Sequence, residues 1–379
     1  MKKIVLLNDS LLGGGAERIT LNLARGFIKK GYEVHIVLIK DIIEHEIEDD
    51  INIHKLSKDG ILRKNKFLNK LLLARKLKDV VKNISKDGEI EFFISNSGDM
   101  DLLSKKAGLT NTIIRYRNSM YEFYLSKFKN KKGINKLYHK YRFWMKFKNV
   151  YDNRYIVTVA KALEDDLVNK MKIKPKYITT IYNPFDFEYI RKKAEIQIDG
   201  IPNEPYIIYA AKFENRKNQK LLVKAYKKAN IDLPLVLIGN VYTESDKRYL
   251  KELKELIKEL GLEKKVIFPG FQKNPYPWIK NAKLFVMSSN SEGLPLVLVE
   301  SLILGTPIVS TDCPTGPSEV LVGKLKEYLS PVGDVDALAE NIKKALISYP
   351  EIDESIIGRF SLDYSIENYL NLSKKLFKV

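Results

Sequence analysis

With 379 residues, 45% hydrophobic and 30% charged, the chain is long enough for two full cores and too apolar for intrinsic disorder. Its single cysteine, Cys313, excludes an intrachain disulfide and fits a reducing cytoplasm, and no apolar run nears the roughly 20 residues of a membrane-spanning helix. A net charge of +18 fits either an anionic partner (nucleic acid, acidic lipid or a phosphorylated ligand) or a lysine-rich solvated surface.

MKKIVLLND begins with basic residues and an apolar run too short for a signal-peptide core, so KKIVLLN reads as a first buried strand. Ile19, Leu21, Leu23 and Phe27 space out a helix that Gly31 closes, and VHIVLI is the next strand. The rhythm restarts after residue 204. YIIYAA, a helix around 217–229, LPLVLIGN, the charged helix SDKRYLKELKELIKEL closed by Gly261, and VIFPGF follow in turn. LFVMSS, a helix from Pro295, PIVST and the helix DVDALAENIKKALIS complete the series. Strands alternating with helices predict an α/β protein with two doubly wound parallel sheets. IYNPFDFEYIRKKAEIQIDGIPNEP, rich in Pro, Asp and Asn, has no sustained period and predicts the connection between them. The expected domains are residues 1–183 and 184–359, with a last helix, 360–379, that folds back.

Open α/β sheets bind ligands beyond the carboxyl ends of their strands, so strand-to-helix loops should carry the chemistry. LLGGGAER, residues 11–18, lets backbone amides approach an anion at a helix N-terminus. Arg18 stands where a dinucleotide fingerprint has its third glycine, and a simple tight turn is the alternative. AAKFENRKNQ, residues 210–219, sends Lys212 off a strand and Lys217 into the next helix. The two ammonium groups can converge on a diphosphate, or else belong to a solvated turn. SEGLPLVLVES, residues 291–301, puts Glu300 about two turns into a nearly all-apolar helix, Pro295–Leu304, with Gly305 as its stop and Glu292 in the loop before it. A lone buried carboxylate costs several kcal/mol, roughly, unless it is hydrogen-bonded. Sugar hydroxyls are suitable donors; an internal Lys or Arg is the alternative. TDCPTGPSEVL, residues 311–321, offers free amides at Gly316-Pro317-Ser318.

SSNSEGLPLVLVE resembles the Glu-x7-Glu signature of the GT4 family of retaining glycosyltransferases with the GT-B fold. AAKFENRKN resembles that family's Arg/Lys-x4-Lys phosphate motif and GGAER its N-terminal glycine loop. PGFQKNPY and TDCPTGPSE are similar to the versions in bacterial transferases that build capsule, lipopolysaccharide, exopolysaccharide or lipid-linked glycans. The resemblance is firmest over 205–320 and loosest over 41–180. It implies two Rossmann-like domains facing across a cleft, and transfer of a sugar from a nucleotide diphosphate, UDP first, to a glycan or lipid-linked glycan acceptor. The nucleotide sugar is then a substrate, and no cofactor is expected. By this resemblance Glu292 would contact the donor sugar hydroxyls, Glu300 the ribose, and Lys212 and Lys217 the diphosphate. Lys212 stands where many members have arginine, so a point charge replaces a bidentate fork. Gly293, Leu294, Pro295, Gly316 and Ser318 would belong to the same site, and the backbone around Phe271 would bracket the base. Gly14 and Gly15 would meet the donor phosphates from the first domain. Many relatives carry a histidine after an N-domain strand; here IIRYRNSM offers Arg117 and Asn118, and Asn118 is the catalytic candidate. A sugar-nucleotide epimerase can use the same architecture and is the alternative, although no convincing acid/base pair can be placed for it.

Asp99-Met100-Asp101 and Asp334-Val335-Asp336 each follow a glycine and precede a helix-like segment, so both are expected to serve as N-caps. His35, His45, His54 and His139 show no ligand spacing, and no metal is expected. Residues 123–148, FYLSKFKNKKGINKLYHKYRFWMKFK, interleave Lys and Arg with aromatics and contain no acid. Three readings are open: an interfacial helix on an anionic leaflet, an amphipathic helix whose aromatics are core, and a single-stranded nucleic-acid surface. With LRKNKFLNKLLLARKLKDVVKN upstream, the first suits a lipid-linked acceptor and a cytoplasmic protein peripheral on the inner membrane face. A nucleic-acid partner leaves the buried Glu300 unexplained and is not expected.

Overall fold

The computed structural model describes residues 1–128 and 134–377. The chain divides into two units, Met1–Phe185 with Phe360–Val379, and Asp186–Arg359.

The first unit holds β1 (Lys3–Asn8), β2 (Glu33–Lys40), β3 (Ile51–Ser57), β4 (Ile90–Ser95), β5 (Thr112–Tyr116), β6 (Tyr155–Thr158) and β7 (Tyr177–Thr180). They form one parallel sheet in the order β3-β2-β1-β4-β5-β6-β7. Side chains alternate across a strand, so Ile4 and Leu6 enter one core with the helices Gly15–Lys29 and Leu362–Phe377. Val5 and Leu7 enter the other with Lys66–Ile84 and Gly98–Lys106. Because both faces are covered, β1 reads as an unbroken aliphatic run. The last helix lies so close to Gly26 that a Cβ there would sit 2.4 Å from Ile366 Cγ1. The chain re-enters this unit by a bridge of Phe185 to Ser361, with Phe185 N–H donating to Phe360 O at 2.9 Å.

The second unit holds β8 (Ile207–Ala210), β9 (Leu235–Ile238), β10 (Val266–Gly270), β11 (Leu284–Met287), β12 (Ile308–Thr311) and β13 (Leu329–Ser330). Their parallel order is β10-β9-β8-β11-β12-β13. In each sheet the chain winds outward from one central strand and then reverses. The topological switch points are therefore β1/β4 and β8/β11, where a crevice opens beyond the carboxyl ends of the strands.

Four elements differ from expectation. The connecting segment contains a helix, Phe187–Ala194, capped by Asp186, which accepts from Tyr189 N–H at 3.0 Å. The apolar helix runs over Leu296–Ile303. Pro295 is its N-cap, with extended ψ of 100°, and its ring lies against the Gly316 backbone. Glu300 is thus four residues past the helix start, about one turn and not two. The basic aromatic stretch folds as two helices, Met120–Phe128 and Ile134–Tyr151; residues 129–133 of it, like 378–379 of the last helix candidate, lie outside the described residues. Its Phe128, Phe147 and Tyr151 are buried while Phe123, Leu125, Tyr141 and Met145 are exposed. No helix among the described residues is long and apolar enough to cross a membrane.

Candidate functional site

At the switch point of the second unit, the segment after β8 crosses close under Gly239, where a Cβ would sit 2.0 Å from Ala211 O. The segment ends at Asn218, whose left-handed φ of 48° lets its side chain cap the helix Gln219–Ala229. It is stitched to the segment after β11: Asn290 N–H donates to Arg216 O at 2.8 Å, and Ser288 Oγ donates to Asn218 O at 2.9 Å. Both segments are held at fixed separation by groups that are not themselves the chemistry.

Glu292 lies between them, 7% exposed. Its Oε1 accepts from Lys217 Nζ at 2.5 Å and from Ser289 Oγ at 2.6 Å, and its Oε2 accepts from Arg216 Nη1 at 3.1 Å. Burial pushes the carboxyl up, but Lys217 and Arg216 outweigh burial and leave it below its ordinary range. Tyr209 OH pairs with Ser289 Oγ at 2.8 Å and donates to Lys217 O at 3.2 Å, extending the network into the sheet. Thr315 Oγ1 donates to the Glu292 carbonyl, which ties in the loop after β12. Gly316, at φ 92°, packs so tightly that a Cβ would sit 2.2 Å from Gly293 O, a conformation and a space only glycine accommodates. Lys217, Glu292, Gly293, Leu294, Pro295 and Gly316 are thus brought together.

Other expected residues have partners other than Glu292, although Glu214 joins Lys212 to Arg216. Lys212 Nζ pairs with Asp246 at 3.0 Å and Glu214 at 3.3 Å, so the two lysines flank the segment without sharing a partner. Burial would lower the Lys212 ammonium, yet Asp246 and Glu214 hold it above its ordinary range. Glu300 is 3% exposed, and Tyr276 OH donates to its Oε1 at 3.4 Å. Phe271 is exposed just past β10, and Ser318 is exposed in the four-residue helix Pro317–Val320.

In the first unit, Gly14 is the N-cap of the helix that Gly15 begins. The loop's amides are partly taken: Gly13 N–H donates to Glu44 Oε2 and Gly14 N–H to Leu12 O, at 2.9 and 2.7 Å. Beyond β1, β4 and β5 lies a cavity of about 570 Å³. Asp9, Ser97, Arg117 and Asn118 line it opposite Phe123, Phe143 and Phe147. Ser97 Oγ donates to Asp9 Oδ1 at 2.5 Å, and burial lifts the Asp9 carboxyl above its ordinary range. Asn118 is exposed at the rim.

The two Asp-x-Asp triplets part company here. Asp334 caps its helix by accepting from Asp336 and Ala337 N–H. Asp99 and Asp101 are not caps: the N-cap position is Ser97, and Asp101 turns inward, 2% exposed, to accept from Ser95 Oγ at 2.6 Å and Tyr151 OH at 2.8 Å. Burial pushes its carboxyl up to about 7 despite those bonds and the nearby Arg117 and Arg154. Sequence reasoning missed Arg216, Ser289, Asp9 and Asp101. Arg216 was signalled by its place beside Lys217 in ENRKNQ, and Asp9 by its place straight after the first strand. Nothing in the sequence marked Asp101 as buried.

Two parallel sheets, each with a switch point at the carboxyl ends of its strands, define the class. Residues 191–357 match the family model of glycosyl transferases group 1, and 13–189 that of Glycosyltransferase Family 4. The chain belongs to this GT4, group 1 glycosyltransferase family with the GT-B fold. It is 30% identical over 349 residues, 91% of this chain and 90% of the relative, to the N-acetylgalactosamine-N,N'-diacetylbacillosaminyl-diphospho-undecaprenol 4-alpha-N-acetylgalactosaminyltransferase of Campylobacter jejuni. It is 26% identical to the capsular polysaccharide biosynthesis glycosyltransferase CapH of Staphylococcus aureus, covering 79% of each chain. Among solved structures, Anabaena HepE in complex with UDP and glucose superposes with a TM-score of 0.74 at 17% identity, covering 99% of this chain and 100% of that one. The protein is a glycosyltransferase of glycan biosynthesis, and the epimerase alternative falls away.

Proposed function

We propose that the protein is a retaining transferase that moves a sugar from a nucleoside-diphosphate sugar, UDP-linked first, to a glycan or lipid-linked glycan acceptor at the cytoplasmic face of a membrane. The observation that carries this reading is the Glu292 carboxylate held at the β8/β11 switch point by Lys217 and Arg216. Cations there suit a diphosphate leaving group, whose charge grows as the glycosidic bond to it breaks. Glu292 accepts hydroxyls of the donor sugar, Glu300 those of the ribose, and the Phe271 backbone meets the base. Lys212 adds a point charge to the diphosphate, and the backbone of Gly293, Leu294, Pro295, Gly316 and Ser318 shapes the pocket. Retention follows from the family resemblance. UDP is favoured because HepE binds UDP, and the lipid-linked acceptor because the C. jejuni relative is named for one.

In the first unit, Gly14 and Gly15 meet donor phosphates, and the cavity beside Asn118 takes the acceptor, its aromatic wall against a sugar face and Asp9 against a hydroxyl. Exposed Phe67, Leu71, Phe123, Leu125, Tyr141 and Met145, interspersed with lysines, support contact with an anionic leaflet. A thermal-shift screen against UDP-, GDP- and ADP-sugars tests the donor, since a bound ligand stabilises by mass action. Stabilisation by a UDP-sugar supports the reading; no shift with any of the three rejects it.

A further inference from the structure

The cations suited to a diphosphate already hold one of the chain's own carboxylates. Lys217 gives its ammonium to Glu292 Oε1, and Arg216 gives Nη1 to Oε2 at 3.1 Å. Arg216 is anchored from behind: Nη1 also reaches Ser291 O at 3.0 Å, and Nε donates to Glu214 Oε1 at 3.1 Å. Its side chain is 45% exposed, against 16% for Lys217, so it forms the outer lip of the pair. Carboxylate and phosphate oxygens are alike as anionic acceptors for guanidinium and ammonium, and the same donors cannot serve both fully.

We propose that Arg216 and Lys217 form one anion site that exchanges Glu292 for the diphosphate of the donor, which makes Arg216 a diphosphate-binding residue and Glu292 a built-in competitor of the product. This rests on the reading of the site as one for a nucleoside-diphosphate sugar. When the diphosphate takes the two cations, the buried Glu292 is left with Ser289 and needs new donors. A sugar attached to the diphosphate supplies them through its hydroxyls. A nucleoside diphosphate without a sugar supplies none, so Glu292 recaptures the cations and the product leaves. The carboxylate thus discriminates donor from product by what each offers in return.

The test is calorimetric titration of the full chain with inorganic pyrophosphate and with UDP, for the wild type and for Glu292→Gln, Glu292→Asp, Arg216→Gln and Arg216→Lys. Glu292→Gln should bind both probes about tenfold more tightly, by removal of the competing charge, and its residual transfer should become correspondingly more sensitive to inhibition by UDP. Glu292→Asp, with a shorter reach to Lys217, should lie between and guards against misfolding of the first variant. Arg216→Gln should weaken pyrophosphate binding about tenfold and Arg216→Lys should restore part of it. Unchanged or weaker pyrophosphate binding by both Glu292 variants overturns the exchange, as does an Arg216→Gln that binds like the wild type or a chain that binds no pyrophosphate at all. If the pyrophosphate series holds while UDP fails to bind, the exchange stands and the uridine-nucleotide reading falls.

Discussion

At the carboxyl ends of β8 and β11 the second unit gathers cations around the buried Glu292 carboxylate, whereas beyond β1, β4 and β5 the first unit gathers aspartates, Arg115 and Arg117 beside aromatic rings. The strand order is the same but for a seventh strand in the first unit, so the backbone plan does not decide the chemistry. The loops do. In the second unit they are longer and cross-stitched, and charge is neutralised in a network: Lys217 and Arg216 on Glu292, Arg216 and Lys212 on Glu214, and Lys212 on Asp246. In the first, Asp9 and Asp101 are carried by desolvation toward the protonated form, beside an open aromatic wall. The comparison separates a site whose buried charge is paired from one that sets desolvated carboxyls and arginines beside an aromatic wall.

The sharpest way to break that contrast is Lys217→Ala. Transfer should fall by about 10²–10³, the worth of one preorganised donor at a developing charge, while the acceptor KM stays unchanged. An unchanged rate would remove the second unit from the chemistry. Gly316→Ala should cost about 2–4 kcal/mol in urea unfolding, because strain at φ 92° adds to the collision with Gly293 O. A ΔΔG below the uncertainty of the extrapolation would show the turn to be yielding.

The next effect concerns Asp101. Its folded pKa is raised, to about 7 from 3.8, so the native state holds its proton more tightly than the unfolded chain. Its contribution is fully present below about pH 4 and is lost as pH rises toward 7, which amounts to a few kcal/mol at most. Asp101→Asn should flatten that segment of the stability–pH curve, and a curve parallel to wild type would remove the assignment. Smaller still, Lys→Glu changes at Lys127 and Lys146, on the two helices of the basic aromatic stretch, should each weaken flotation with anionic liposomes by several-fold, about 1 kcal/mol per lost cation, and leave donor binding alone. Retained binding would favour an aromatic cluster that serves packing only. Asn118→Ala, at the cavity rim, should change transfer by less than about tenfold and through the acceptor KM, as an exposed neutral side chain allows.

The alternating elements at the start of the chain and after residue 204 were legible because their central strands are covered on both faces and read as aliphatic runs. By contrast, β3 (INIHKLS) and β7 (YITT) are only partly buried and carry no such run. Helix Phe187–Ala194 escaped because only Ile190 and Ala194 are buried in it, too few to outweigh its Pro- and Asp-rich flanks. The site's loops were readable for the same reason as the sheets: glycine, lysine and buried glutamate are costly or unusual where they stand. What could not be read was pairing. Nothing local in KFENRKNQ distinguishes Lys217, which meets Glu292, from Arg216, which shares it, or from Lys212, which turns to Asp246 and Glu214 instead. Asp101 was misread as a cap because the three-residue pattern is the same whether the side chain turns back along the backbone or inward to Ser95 and Tyr151.

The helix Leu362–Phe377 completes the hydrophobic core of the first unit, with Leu362, Ile366 and Tyr369 against Leu23 and Phe27. During synthesis, residues 1–185 therefore emerge with one face of their sheet incompletely covered, and the intervening unit can close while they wait. Synthesis of residues 362–377 is thus registered at the amino-terminal half. Without residues 360–377 the first unit would leave the apolar side chains that they cover exposed to chaperones and proteases. Gly26, where Ile366 and Leu362 seat, is the point at which that late covering fits or fails.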